Sequence, residues 1–106
     1  MSKHTVMAIY RVQGAKEDEF RELLAKHWPT LKRCDLVTDE PVRLYRGEED
    51  GRPIYTEIFE WLPGASERAH QMPEVLAIWE PMASITEERG ENLPGLSFPH
   101  VARVEF

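Results

Sequence analysis

Strand-like and helix-like patterns alternate along the first half of the chain. Residues 5–12 are rich in β-branched and aromatic side chains, which is typical of a strand that is apolar on nearly both faces. Gly14 breaks this pattern and acidic residues follow at 17–19, so we predict that a helix begins near Ala15. Pro29 lies inside this helix and predicts a kink. The face toward the core is marked by residues at three- and four-residue spacing, namely Phe20, Leu23, Leu24, His27, Trp28 and Leu31.

The second half of the chain repeats this alternation with more interruptions. Within residues 37–46, Pro41 makes the early part an edge or irregular segment, and a strand resumes at Val42. The Asp50-Gly51 pair predicts a hairpin turn, because glycine adopts positive φ without steric cost. We then predict an antiparallel return strand at 54–61, a helical stretch at 66–71, a longer helix from Pro73 to Gly90, and a last strand at 98–106.

The order β-α-β-β-α-β predicts an α+β, ferredoxin-like domain, in which two helices cover one face of an antiparallel sheet. The strand patterns are apolar on both sides: Met7 and Ile9 alternate with the residues of the opposite face, as do Ile54 and Ile58. Two helices cover only one of these faces. We therefore expect a second copy of the chain to cover the other face in a homodimer. A sheet face merely dotted with apolar residues, as in many monomers, is the alternative.

Composition narrows the class of protein. The chain has 106 residues, a length that suits a single domain over 1–106, and 13 Lys+Arg against 19 Asp+Glu give a net charge of −6. This acidic balance without a basic block argues against binding to nucleic acid or to an anionic membrane. The longest strictly apolar run covers only residues 6–10, so no membrane span is expected. Cys34 is the only cysteine, which favours a reducing, cytoplasmic compartment.

Several short passages resemble the dimeric α/β-barrel superfamily, and within it the antibiotic-biosynthesis-monooxygenase-like proteins. They are Val-Gln-Gly-Ala-Lys-Glu-Asp-Glu-Phe at 12–20, Phe-Glu-Trp at 59–61 and Ala-His-Gln-Met-Pro-Glu-Val at 69–75. The resemblance covers nearly the whole chain. It implies that two four-stranded sheets pack as an eight-stranded barrel, with ligands held between a monomer's sheet and its helices.

The activities of the superfamily include cofactor-independent oxidation of quinols and related aromatics, haem degradation, haem-dependent chemistry, polyketide processing and simple binding. The haem-degrading branch uses an Asn, Trp and His set. Because the only asparagine here, Asn92, falls in a turn after the second helix, the resemblance argues against haem degradation. It does carry a pocket role over to His70, which stands where the family often shows a histidine. The alternative for His70 is that it caps the broken helix or lies on the surface.

A second candidate acid/base group lies on the first helix. His27 occupies the apolar side of that helix, where an imidazole must be hydrogen-bonded, and it can meet Glu57 or Glu60 from the third strand. These two glutamates have opposite parity, so only one of them points inward. The alternative is a structural histidine bonded to a backbone carbonyl that Pro29 leaves free.

The chemistry predicted from these residues is cofactor-free. An imidazole, His70 or His27 with a glutamate, deprotonates an aromatic substrate so that oxygen reacts with the anion. Trp28, Tyr45 and Trp79 are the expected substrate contacts, although tryptophans on helical stripes are more often plain core.

No metal or nucleotide cofactor is expected, because the four histidines are far apart in sequence and no phosphate-binding glycine loop is present. The leading hypothesis is a monooxygenase acting on a quinol or other aromatic, polyketide-like molecule. The alternative is a non-catalytic ligand-binding or stress-associated dimer, and haem binding through a histidine is a third option.

Overall fold

The first strand is the centre of the sheet. In a computed structural model, which describes residues 4–106, β1 (His4–Arg11) pairs antiparallel with β3 (Arg52–Trp61), and β3 pairs with β2 (Arg43–Glu49). The other edge of β1 pairs with two short strands, β4 (Leu96–Ser97) and β5 (His100–Val101). The sheet order β2-β3-β1-β4, with β5 also on β1, is the predicted ferredoxin-like α+β topology.

The predicted hairpin connects β2 to β3. Asp50 and Gly51 have φ values of 52° and 76°, so both turn residues lie in the left-handed region that a tight two-residue hairpin requires. Asparagine, aspartate and glycine tolerate this region best, which explains why the chain turns at these positions.

Within residues 4–106, three helices lie on one face of the sheet. A short 3-10 turn at Gly14–Lys16 leads into α1 (Glu17–Arg33), and the second predicted helical region consists of α2 (Ala65–Ala69) and α3 (Pro73–Ser84). The helix faces that pack on the sheet bury Phe20, Leu24, His27, Thr30 and Leu31 from α1, and Val75, Ile78 and Met82 from α3. No helix of residues 4–106 is long and apolar enough to cross a membrane.

The end of the chain departs from the predicted boundaries. The prediction that the second long helix runs to Gly90 is wrong, because α3 ends at Ser84 and the β-branched Thr86 forms an antiparallel bridge with Val12. Pairing with the sheet therefore overrides helix continuation. The last strand is also shorter than predicted and begins earlier. It is interrupted at Pro99, which has no N–H to donate, although its carbonyl accepts the N–H of Met7 at 2.9 Å.

The two faces of the sheet have different surroundings. The register pairs Ala8 with Glu57 on the face that the helices cover, and Met7 with Ile58 on the opposite face. On that opposite face Met7, Ile9 and Ile58 are half-buried in the single chain, and no element of residues 4–106 packs over them. The predicted two-faced apolar sheet is therefore present, with one face uncovered.

Candidate functional site

A histidine and a glutamate meet in the core between α1 and β3. The His27 side chain is 2% exposed and Glu57 is 0% exposed. Nδ1 of His27 lies 2.8 Å from Oε1 and 3.0 Å from Oε2 of Glu57. The predicted meeting of His27 with one of the two glutamates is therefore present, and neither of these groups uses a backbone carbonyl freed by Pro29 as its partner.

Two aromatic side chains extend this pair into a buried chain of hydrogen bonds. The hydroxyl of Tyr10 donates to Oε1 of Glu57 at 2.7 Å, and the indole Nε1 of Trp79 donates to Nε2 of His27 at 2.8 Å. Burial, together with the charge and the hydrogen bond of Glu57, raises the pKa of Tyr10 well above its usual value. Tyr10 therefore stays protonated and remains a donor to the carboxylate.

This chain of bonds assigns the tautomer of His27. An indole N–H only donates, so Nε2 of His27 has to accept and the ring proton lies on Nδ1, facing Glu57. The Glu57 carboxylate then accepts from both Tyr10 and His27. In this conformation the one unprotonated nitrogen of His27 is occupied by Trp79, and the His27–Glu57 pair holds the indole in a fixed orientation.

A cavity of about 140 Å³ opens beside these hydrogen-bonded side chains, between the sheet and the helices. His27 and Trp79 line it together with an apolar wall that includes Val6, Phe59, Trp61 and Phe98. Two further imidazoles, those of His70 and His100, also line it. An apolar, aromatic cavity with a few convergent polar groups is the usual form of a small-molecule site.

His70 is an exposed residue whose imidazole lines this cavity. It follows α2 directly, and its Nδ1 donates to the carbonyl of Ser66 at 2.8 Å, which satisfies a carbonyl at the end of that helix. Its ring packs edge-on against Trp79 with ring centroids 4.8 Å apart. Among the hydrogen bonds of residues 4–106, none involves Nε2 of His70. His70 therefore makes a contact at the end of the helix and also lines the cavity.

The structure does not bring three of the sequence-predicted site residues to the cavity. Glu60 lies on the opposite face of the sheet and accepts the hydroxyl of Thr38 at 2.8 Å. Tyr45 lies on that same face and is 58% exposed. Trp28 packs against the core without lining the cavity, and its indole nitrogen is buried without a partner. Strand alternation is the reason for the first two placements.

One member of the buried hydrogen-bond network, Tyr10, was not identified from the sequence as a functional candidate. Tyr10 shares the helix-covered face with Ala8 and Glu57, and a buried tyrosine hydroxyl usually has a hydrogen-bond partner, which was the available signal. Glu57 shares its strand face with Tyr55, Phe59 and Trp61, and this shared parity is the signal that selects it over Glu60. The part of the cavity wall formed by Phe98 and His100 had no such signal, because the strand break at Pro99 positions it.

No group of three or more His, Cys, Asp or Glu side chains within residues 4–106 is arranged to hold a metal ion. Of the imidazoles that line the cavity, His27 is hydrogen-bonded to Glu57 and Trp79, and His70 is hydrogen-bonded to a backbone carbonyl. The bonded imidazoles and the Glu57 carboxylate are suited to hydrogen bonding and proton transfer.

Solved structures with the same fold include oxygenases. SnoaB, a cofactor-independent oxygenase from Streptomyces nogalater, is 19% identical over 99% of this chain and 97% of its own, with a TM-score of 0.68. A variant of SnoaB gives 17% identity, 100% and 97% coverage, and a TM-score of 0.72. A protein from Bordetella bronchiseptica, provisionally named an antibiotic biosynthesis monooxygenase, is 19% identical over 99% of this chain and 100% of its own, with a TM-score of 0.71.

These similarities define the class of fold. Over essentially its whole length the chain has the ferredoxin-like fold of the antibiotic-biosynthesis-monooxygenase-like proteins, as the resemblance in its sequence implied. No protein-family model and no curated protein sequence matches the chain. At identities of 17–19% the structures speak for the fold, and the chemistry has to be argued from the site.

Proposed function

We propose that this chain is a cofactor-independent monooxygenase that oxidises a quinol or another hydroxylated aromatic, polyketide-like molecule. The observation that carries this proposal is the position of His70, whose Nδ1 is held by a backbone carbonyl while its ring lines an aromatic cavity. The description of SnoaB as a cofactor-independent oxygenase supports the same class of reaction. We propose further that residues 1–106 act as one domain in the cytoplasm.

His70 is the proposed base. With the proton on Nδ1 bonded to Ser66, the other ring nitrogen carries the lone pair that accepts a proton from the substrate hydroxyl. An imidazole is suited to this step because its ordinary pKa lies near neutral pH. Trp79, Phe59 and Trp61 supply the aromatic surfaces against which the substrate packs.

The oxidation itself needs only the substrate and oxygen. Deprotonation gives an electron-rich anion, whose ring carbon transfers electrons to O₂ and forms a carbon–oxygen bond. Protonation of the outer oxygen by the His70 imidazolium gives a hydroperoxide, and loss of water from a CH–OOH carbon leaves a ketone. One atom of O₂ enters the product, the other leaves as water, and the substrate loses four electrons. The oxidised group is the CH₂ of an anthrone, or the ring CH together with the hydroxyl of a naphthol or quinol, which becomes a quinone. The protein supplies proton transfer and orientation.

The uncovered face of the sheet supports a homodimer as part of this proposal. Met7, Ile9, Ile54 and Ile58 lie on that face, and a second copy related by a two-fold axis would cover them with the same residues. The exposed Tyr45 of the edge strand β2 lies on the same face and adds to the area that remains uncovered in a single chain.

Oxygen uptake with a panel of hydroxylated anthrones, naphthols and quinols tests the proposal. We expect one O₂ consumed per ketone formed and, with ¹⁸O₂, one labelled atom in the product. His70→Ala should lower kcat by a factor of about 10²–10⁴. His4 does not line this cavity, so the control variant His4→Ala should retain activity. Turnover that survives His70→Ala would contradict His70 as the base. Tight binding of panel members without any uptake would favour the non-catalytic ligand-binding protein.

A further inference from the structure

The cavity beside His27 is small for the ligands proposed. Its volume of about 140 Å³ is below the roughly 300–1,000 Å³ of sites that hold drug-sized molecules. A second apolar cavity of about 260 Å³ lies next to it, lined by Tyr10, Met82 and Leu96. Trp79 and Phe98 line both cavities, so these two side chains form the wall between them.

The Trp79 indole also covers the only hydrogen-bond acceptor that His27 offers. Its N–H donates to Nε2 at 2.8 Å, while Nδ1 is held by Glu57. His27 lines the first cavity, so a ligand in that space reaches Nε2 as soon as the indole moves away. A single displacement of Trp79 therefore joins the two cavities and exposes an oriented acceptor.

We propose that Trp79 is a displaceable gate whose place at Nε2 of His27 is taken by a hydroxyl of the ligand. The ligand is a planar aromatic molecule with a hydroxyl on one edge, and its ring fills the space that joins the two cavities. The inference rests on the proposed function for the class of ligand, but it concerns binding and not oxidation. Nε2 of His70 takes no part in the exchange and keeps the role proposed above.

The hydrogen-bond balance makes this site selective for a donor. Exchanging the indole N–H for a ligand O–H leaves Nε2 of His27 satisfied. A ligand without a donor, such as a methyl ether, removes the indole and leaves a buried nitrogen without a partner, which is costly. The His27–Glu57 pair cannot adapt by moving the ring proton to Nε2, because Nδ1 would then face the Glu57 carboxylate without a proton.

Binding of 2-naphthol and 2-methoxynaphthalene, measured by isothermal titration calorimetry under argon, tests the proposal. These probes differ in the hydroxyl donor and otherwise share their ring. We expect the wild-type protein to bind 2-naphthol at least about fivefold more tightly than the ether. Trp79→Phe should tighten the binding of both probes by about twofold to tenfold, because neither probe then has to displace the indole N–H from Nε2 of His27. The ratio of the two affinities should stay near its wild-type value, because the free protein cancels from that ratio.

Trp61→Phe is the matched control, since Trp61 lines the cavity without a bond to His27. Because this variant removes no hydrogen bond to His27, it should not tighten the binding of either probe. Equal affinity of the wild-type protein for the two probes would overturn the proposal. Failure of both probes to bind, or binding of 2-naphthol by Trp79→Phe that is no tighter than by the wild-type protein, would overturn it too.

A measurement on the wild-type protein keeps the test independent of how well Trp79→Phe folds. In a ¹H–¹⁵N spectrum, the indole N–H resonance of Trp79 should move on addition of 2-naphthol, because its hydrogen bond to His27 is broken. An unchanged Trp79 resonance at saturating 2-naphthol would overturn the gate. Because oxygen is excluded from both experiments, a failure of the gate is distinguishable from a failure of the oxidation chemistry.

Discussion

Replacing Glu57 by leucine is the most severe test of the buried hydrogen-bond chain. The carboxylate accepts the Tyr10 hydroxyl at 2.7 Å and Nδ1 of His27 at 2.8 Å, and leucine accepts neither proton. Each buried donor left without a partner costs about 1–3 kcal/mol. Removing the carboxylate also removes the cost of burying it, which offsets part of the loss. We expect Glu57→Leu to lower the free energy of unfolding by about 2–4 kcal/mol.

Glu57→Gln is the near-isosteric companion variant. If the glutamine oxygen takes the place of Oε1, its NH₂ group lies at the Oε2 position, 3.0 Å from Nδ1 of His27, and two donors face each other. If the amide is flipped, His27 has to accept at Nδ1, and its Nε2 proton then faces the indole N–H of Trp79. Neither orientation satisfies every group, so we expect a loss of about 1–2 kcal/mol.

Urea unfolding followed by circular dichroism, at one fixed protein concentration, measures these changes. A double-mutant cycle with Tyr10→Phe isolates the contact between Tyr10 and Glu57. Tyr10→Phe should cost about 1.5–3 kcal/mol in the wild-type protein, because the hydroxyl donates to a charged group. In the Glu57→Leu background it should cost nothing or stabilise. A Glu57→Leu loss below about 1 kcal/mol, or the same Tyr10→Phe cost in both backgrounds, would refute the reasoning.

Three further predictions concern other parts of the fold. Hydrogen bonds from Arg46 and Tyr55 lower the pKa of Glu17 from 4.5 to about 2, so its contribution to stability is present above pH 4.5 and is lost as the pH falls toward 2. Thermal unfolding of Glu17→Gln should therefore depend less on pH across that window than the wild type, and parallel profiles would contradict the assignment. Gly95→Ala should lower the free energy of unfolding by about 1–3 kcal/mol, because the new Cβ lies 2.9 Å from the backbone nitrogen of Glu87. Gly14→Ala is the control: its Cβ has no contact closer than 4.0 Å, so the urea midpoint should stay nearly unchanged. Ile58→Asp, on the uncovered sheet face, should give monomers in sedimentation equilibrium, because a buried charge without a partner would disfavour the interface. Ala77→Asp, at an exposed position of α3, should leave the dimer intact. Dimers in both variants would argue against that sheet face as the interface.

Much of the architecture follows from local patterns of the sequence. Alternation along β1 and β3 predicts two different sheet faces, and helical spacing places His27 on the buried side of α1. Together these patterns bring His27 to one of two glutamates, which the structure bears out with Glu57. Strong periodicity over eight or more residues carries this information, because it reflects burial of a whole face.

The remaining features depend on contacts between distant parts of the chain. The bond from Trp79 to His27 joins α3 to α1, and no local pattern states which buried donor meets which acceptor. The end of α3 at Ser84 results from pairing of Thr86 with Val12 across the molecule. Phe98 reaches the cavity because of the break at Pro99. Such features are set by tertiary packing, which sequence periodicity does not report.

The protonation of two imidazoles is the most direct test of the account, because both proposals depend on an unprotonated Nε2 facing the cavity. Long-range ¹H–¹⁵N spectra of the histidine rings at about pH 8, where an ordinary imidazole is neutral, assign the proton on each ring. The bonds to Glu57 and to the Ser66 carbonyl predict that His27 and His70 both carry it on Nδ1. A proton on Nε2 of His27 would contradict the gate at Trp79, and a proton on Nε2 of His70 would contradict its role as the base.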